Sequence, residues 1–150
     1  MGRRLLVGLG VLALTIAAAP EARGAKSAVL APAQVLRIAL RVARADGEPH
    51  PRNIALAAGH LAAAVKVFDP HAHPTAAGLG ALGGADTRVD LVAMRGHFTS
   101  HGPHPHNRPE PKGTVLELLM NAHSGVVFGV SLGPKLAAQL SRLGAVTQLR

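Results

Sequence analysis

Between Val89 and Leu132 apolar and polar residues alternate in three blocks. Successive side chains of a strand point to opposite faces, so a period of two predicts extended chain. The first block predicts a strand over Arg88–Thr99. Val92, Met94 and Phe98 share one face with Asp90 and Gly96, and Leu91, Ala93, Arg95 and His97 share the other. The second predicts a strand over Thr114–Met120, with Leu116, Leu118 and Met120 opposite Val115, Glu117 and Leu119. Asn121–Gly125 is a turn with His123 at its wet tip, and Gly125 supplies the positive φ that a tight turn demands. The third block predicts a strand over Val126–Leu132, with Val126, Phe128, Val130 and Leu132 on one face.

Helical periodicity precedes these strands. In Ala33–Ala45, Val35, Leu36, Ala39, Leu40 and Ala43 fall on one side and Arg37, Arg41 and Arg44 on another. Pro32 suits the first turn, where its missing N–H costs nothing, and Gly47 suits the end. The arginine stripe fits a solvated face, as amphipathic helices have by default, with an anion-binding face as the alternative. Asn53–Phe68 is ambiguous: Ile54–Ala58 fits a short strand, while Ala-rich His60–Val67 favours a short helix with His60 on its surface. Residues 69–87 and 100–113 are rich in Gly and Pro and are expected to be flexible loops. Gly78–Gly83 spells G-x-G-x-x-G, but a dinucleotide site needs a strand before it and a helix after it, and neither is predicted. Lys135–Leu143 carries Leu136, Leu140 and Leu143 at helical spacing, and the tail Ala145–Arg150 either pairs or frays. The expected fold class is α+β: an N-terminal amphipathic helix packed on a three-stranded antiparallel sheet, with a short C-terminal helix.

The N-terminus gives this domain an address. Met1–Arg4 is basic, Leu5–Ala19 is an uncharged, mostly apolar run of 15 residues, and Ala22-Arg23-Gly24 offers small residues for cleavage. That is the layout of a secretory signal peptide over 1–24, and the run is shorter than the roughly 20 residues a membrane span needs. Residues 25–150 then form one small domain with no stable membrane span, secreted or held outside the cytoplasm in the cell envelope. The chain has no Cys, so disulfides contribute nothing to its stability. Its net charge of +8 permits binding to an acidic envelope component, with an unknown protein as the other partner expected, and also fits a charge that simply keeps a small protein soluble. Nucleic acid is not expected, since the chain is exported and has no Trp or Tyr and only three Phe for base stacking.

Two constellations carry candidate chemistry. His97, His101, His104 and His106 gather four imidazoles around one loop, and imidazole is the common ligand of zinc and copper. Pro103 and Pro105 stiffen that loop, and Glu110 is its only carboxylate. A weakly binding solvated loop and a transition-metal site both fit. The second is Arg95, His97 and Glu117 on one sheet face, where a cation, an imidazole and a carboxylate suit either a polar ligand or an exposed ion pair. No nucleophile is evident: Ser100, Ser124 and Ser131 lie outside any G-x-S-x-G elbow. The expectation is a binding or regulatory module without catalytic activity and without a required cofactor. Zinc or copper binding is the alternative.

Three motifs carry a resemblance. MRGHF over Met94–Phe98, P-x-G-T-V-L over Pro111–Leu116 and N-A-H-S-G-V-V over Asn121–Val127 resemble a family of small exported proteins from high-GC bacteria. The turn is also similar to the hairpin of PepSY domains, which pair a helix with a small antiparallel sheet. The resemblance covers roughly the last 65 residues, about the span of a small domain. It implies an α+β fold and export. PepSY domains act as inhibitors or regulators of peptidases, which implies a regulatory role but no particular residues.

Overall fold

The computed structural model describes residues 28–101, 109–133 and 140–150. The expected signal segment, His104 and His106, and the first half of the expected C-terminal helix lie outside the described residues.

Its architecture is α+β around a five-stranded antiparallel sheet. The elements run α1 (Pro32–Ala45), β1 (Arg52–His60), α2 (Leu61–Phe68), α3 (Ala76–Ala81), β2 (Arg88–Thr99), β3 (Lys112–Asn121), β4 (Val127–Gly133), α4 (Leu140–Leu143) and β5 (Val146–Gln148). The strand order is β4-β3-β2-β1-β5. The three expected strands are β2, β3 and β4, and two more complete the sheet. β1 lacks an alternating pattern because Ile54, Ala55 and Ala57 are all buried, with helices covering both faces. β5 is only three residues long and forms by pairing with Ala55–Ala57, a contact that local sequence does not encode. Residues 69–87 are likewise more ordered than expected, because α3 forms there with the Thr75 hydroxyl accepting from Gly78 N–H at 3.1 Å.

Both faces of the sheet are covered. On one, Val35, Ala39 and Ala43 of α1 are buried against Ile54, Val92, Met94, Leu116, Leu118 and Met120. The arginine stripe Arg37, Arg41 and Arg44 faces solvent. On the other, Leu61 and Ala64 of α2 and Leu140 of α4 cover Ala57, Leu91, Ala93 and Leu119, with Leu79 of α3 packed alongside. The expected open face is therefore closed. The single-face pattern expected for β4 is also broken. A register shift at Leu119/Met120 sends Phe128 to the α2 side while Val127 and Leu132 pack on the α1 side. No helix among the described residues is long and apolar enough to cross a membrane.

Candidate functional site

The site begins at the end of α1. Gly47, at φ 85°, reverses the chain, with Gly47 N–H donating to Arg44 O and Glu48 N–H to Ala43 O. These two bonds form a Schellman motif, which fixes the residue after the glycine in space. That residue is Glu48. Its carboxylate accepts from the backbone N–H of His97 and of His50, both at 2.9 Å. These bonds, His97 first, hold the Glu48 carboxyl below its ordinary value.

The His97 N–H is available because β2 bulges there. The pairing with β3 slips between Arg95 and Phe98, leaving an extra residue on β2. A Cβ on Gly96 would fall 2.5 Å from Glu48 Cγ and 2.9 Å from Phe98 Cζ, so only glycine admits the carboxylate this closely. Thr99 N–H donates to Asp46 O at 2.9 Å and ties the strand end to the same corner. Burial raises the Asp46 carboxyl, and the His101 imidazole opposes that shift. His101 Nδ1 lies 3.2 Å from Glu110 Oε1.

Beside this corner opens a cleft of about 690 Å³. Among the described residues its lining comes from three strand ends: His97, Phe98 and Thr99 of β2, Lys112, Gly113 and Thr114 of β3, and Leu132 and Gly133 of β4. At Gly113 the strands β3 and β4 approach closely, since a Cβ there would meet Gly133 O at 3.1 Å and Leu132 Cβ at 3.2 Å. The lining is mostly apolar, with one cation, one imidazole and two hydroxyls at its edge. Such a mixture suits a ligand with an apolar body and an acidic head.

The sequence-derived candidates are distributed as follows. His97 reaches the cleft and is exposed. Arg95, also exposed, pairs across the sheet with Val115 and Arg52. Glu117 sits opposite Ala93 and Ser131, half-buried, and burial raises its carboxyl. No ion pair joins Arg95 and Glu117, and His97 lies within the bulge that follows Arg95. His101 is brought to Glu110. Among the described residues no group of three His, Asp or Glu side chains is arranged to hold a metal ion. Glu48, Lys112 and Leu132 were not singled out from sequence. Gly47 behind a helix and Gly96 inside a strand were the local signals for the Glu48 corner, but only the fold shows that they meet.

A second unusual place lies at the other end of β2. Asp90 is 2% exposed on the α1 face, and its Oδ2 has no hydrogen-bond partner. Burial raises its carboxyl, opposed by Arg88 and His123. His123 is half-buried, not wet as expected, and its Nδ1 also lacks a partner.

No family model, curated protein or solved structure matches this chain. Function therefore rests on the geometry.

Proposed function

We propose that the protein is an exported, non-catalytic binding module of the cell envelope or medium, whose ligand is an acidic amphiphile held in the cleft at the ends of β2, β3 and β4. The cleft carries this reading: 690 Å³ falls within the usual range for small-molecule sites, with Phe98 and Leu132 for an apolar body and Lys112 for an acidic head. The net charge of +8 supports an acidic ligand, and the signal-like N-terminus supports a location where acidic lipids and polymers are found. Calorimetric titration of the purified chain with dodecanoate tests it. Saturable one-to-one binding is expected, weakened at least about tenfold by Lys112→Glu, a loss of roughly 1.4 kcal/mol. Absence of saturable binding, or equal binding of dodecyltrimethylammonium, would refute it.

The pairing of His101 with Glu110, with Asp46 close enough to sense the imidazole, favours a second reading. In it the loop binds zinc or copper through His97, His101, His104 and His106. Titration with Zn²⁺ and Cu²⁺ tests this against a variant with His101, His104 and His106 changed to Ala. One-to-one binding tighter than about micromolar, roughly −8 kcal/mol, that is lost in the variant supports it. Weak multi-site binding that survives the substitutions sinks it.

A further inference from the structure

We infer that Arg52 and Arg95 form an anion site on the sheet, and that the site takes a phosphate group. The inference does not depend on the cleft. Arg95 shares a face with Ala93 on the α2 side, whereas Phe98 and Leu132 of the cleft pack on the α1 side.

The register of β1 carries it. Arg52 is the direct partner of Arg95 in the antiparallel pairing of β1 with β2, so the two cations lie side by side on one face, and both are exposed. Simple alternation would keep them apart. Ala55 and Ala93 are partners on the α2 side, so Arg52, three residues before Ala55, would fall on the α1 side with Ile54. An irregularity between Arg52 and Ala55 reverses that parity, and Asn53 within it takes left-handed backbone at φ 49°. The irregularity therefore brings Arg52 onto the face of Arg95.

Like charges set directly opposite each other destabilise a sheet. The chain supplies no acid to offset them. Among the described residues neither arginine makes an ion pair, and Glu21 is the only acid that lies outside those residues. Glu48, close by in sequence, is held by the N–H groups of His50 and His97, and Glu117, diagonal to Arg95 across the sheet, is not paired with it. An external anion between the two guanidiniums removes the repulsion. Each guanidinium is a planar fork of N–H donors that matches the oxygens of a carboxylate or a phosphate. Charge and oxygen count decide between these. A carboxylate brings one charge and two oxygens, which suits one fork. A phosphomonoester carries roughly −1.5 to −2 near neutral pH and presents three oxygens, which suits two.

Amide NMR of the full, isotope-labelled chain, titrated with inorganic phosphate at a constant ionic strength of about 0.1 M, is the test. The amides of Arg52, Asn53 and Arg95 are expected to shift together and to saturate with a Kd of about 0.1–1 mM. Arg95→Gln is expected to weaken binding at least about tenfold. Arg41→Gln removes the same charge from the solvent face of α1 and is expected to leave the Kd unchanged. Shifts that do not saturate, an equal loss in the two variants, or acetate binding as tightly as phosphate overturns the proposal. Vesicles containing phosphatidic acid offer the same group on a lipid. Vesicle binding that is lost in Arg95→Gln and kept in Arg41→Gln assigns the phosphate to a lipid headgroup. Phosphate binding without vesicle binding assigns it to a soluble phosphomonoester.

Discussion

Asp90→Asn is expected to stabilise the fold at neutral pH. The Asp90 carboxyl lies among the apolar residues of the α1 face, 2% exposed, with Oδ2 unpartnered. A buried polar atom left without a partner costs about 1–3 kcal/mol, and more when the group is charged. Asn keeps the shape and leaves a polar atom equally unpartnered, so only the charge's share is regained, about 1.4 kcal/mol for each pH unit by which burial raises the carboxyl, or roughly 2–4 °C in melting temperature per kcal/mol at this chain length. The pH dependence distinguishes this cause from better packing. Burial raises the folded carboxyl above its ordinary value of 3.8, so the protonated form is the one that suits the fold. Stability from that proton is complete below the ordinary value and is lost as pH rises through the folded value. The variant should therefore match wild type in urea melts at about pH 3.5 and exceed it at about pH 7.5. Arg88 and His123, which face Asp90, oppose its shift but do not cancel it. A variant less stable than wild type at neutral pH would mean that one of them pairs with the carboxylate, and the reasoning would fail. A gain of equal size at both pH values would refute it as well.

The Glu48 corner gives two further expectations. Glu48→Gln should cost about 0.5–1.5 kcal/mol at neutral pH, toward the lower end because solvent screens the corner. Since the folded carboxyl lies below its ordinary 4.5, that cost should disappear as pH falls through the folded value, read by urea melts at both pH values. Gly96→Val should cost more, roughly 2–4 kcal/mol, because its side chain collides with Glu48 and Phe98, and the His97 amide should lose protection from hydrogen exchange. Glu117→Gln should leave stability at neutral pH unchanged or slightly higher, since burial alone raises that carboxyl; a clear loss in a thermal melt would indicate a partner for the charge.

What was legible in the sequence was local. Period-two patterning marked β2, β3 and β4 almost to the residue, because each has an apolar face that must be buried. Pro32, Gly47 and Gly125 marked a helix start, a helix end and a turn, because each residue type is tied to a particular backbone conformation. Asp90 falls on the same face as Val92, Met94 and Phe98 in that pattern, but its burial was read only from the structure.

Only the tertiary structure decided the rest. β1 is covered on both faces and so shows no alternation, and β5 exists only through its pairing with β1. The bulge at Gly96 and the shift beside Phe128 each break the parity of a strand, so a face assigned by counting along the chain fails beyond them. Glu48 meets His97 across 49 residues of sequence, and the cleft joins three strand ends. The sequence by itself determined that α1 is a helix and that β2, β3 and β4 are strands, since that follows from local conformational preference and periodicity. Which side chains share a site was decided by sheet register and helix placement, which are set by contacts between distant segments.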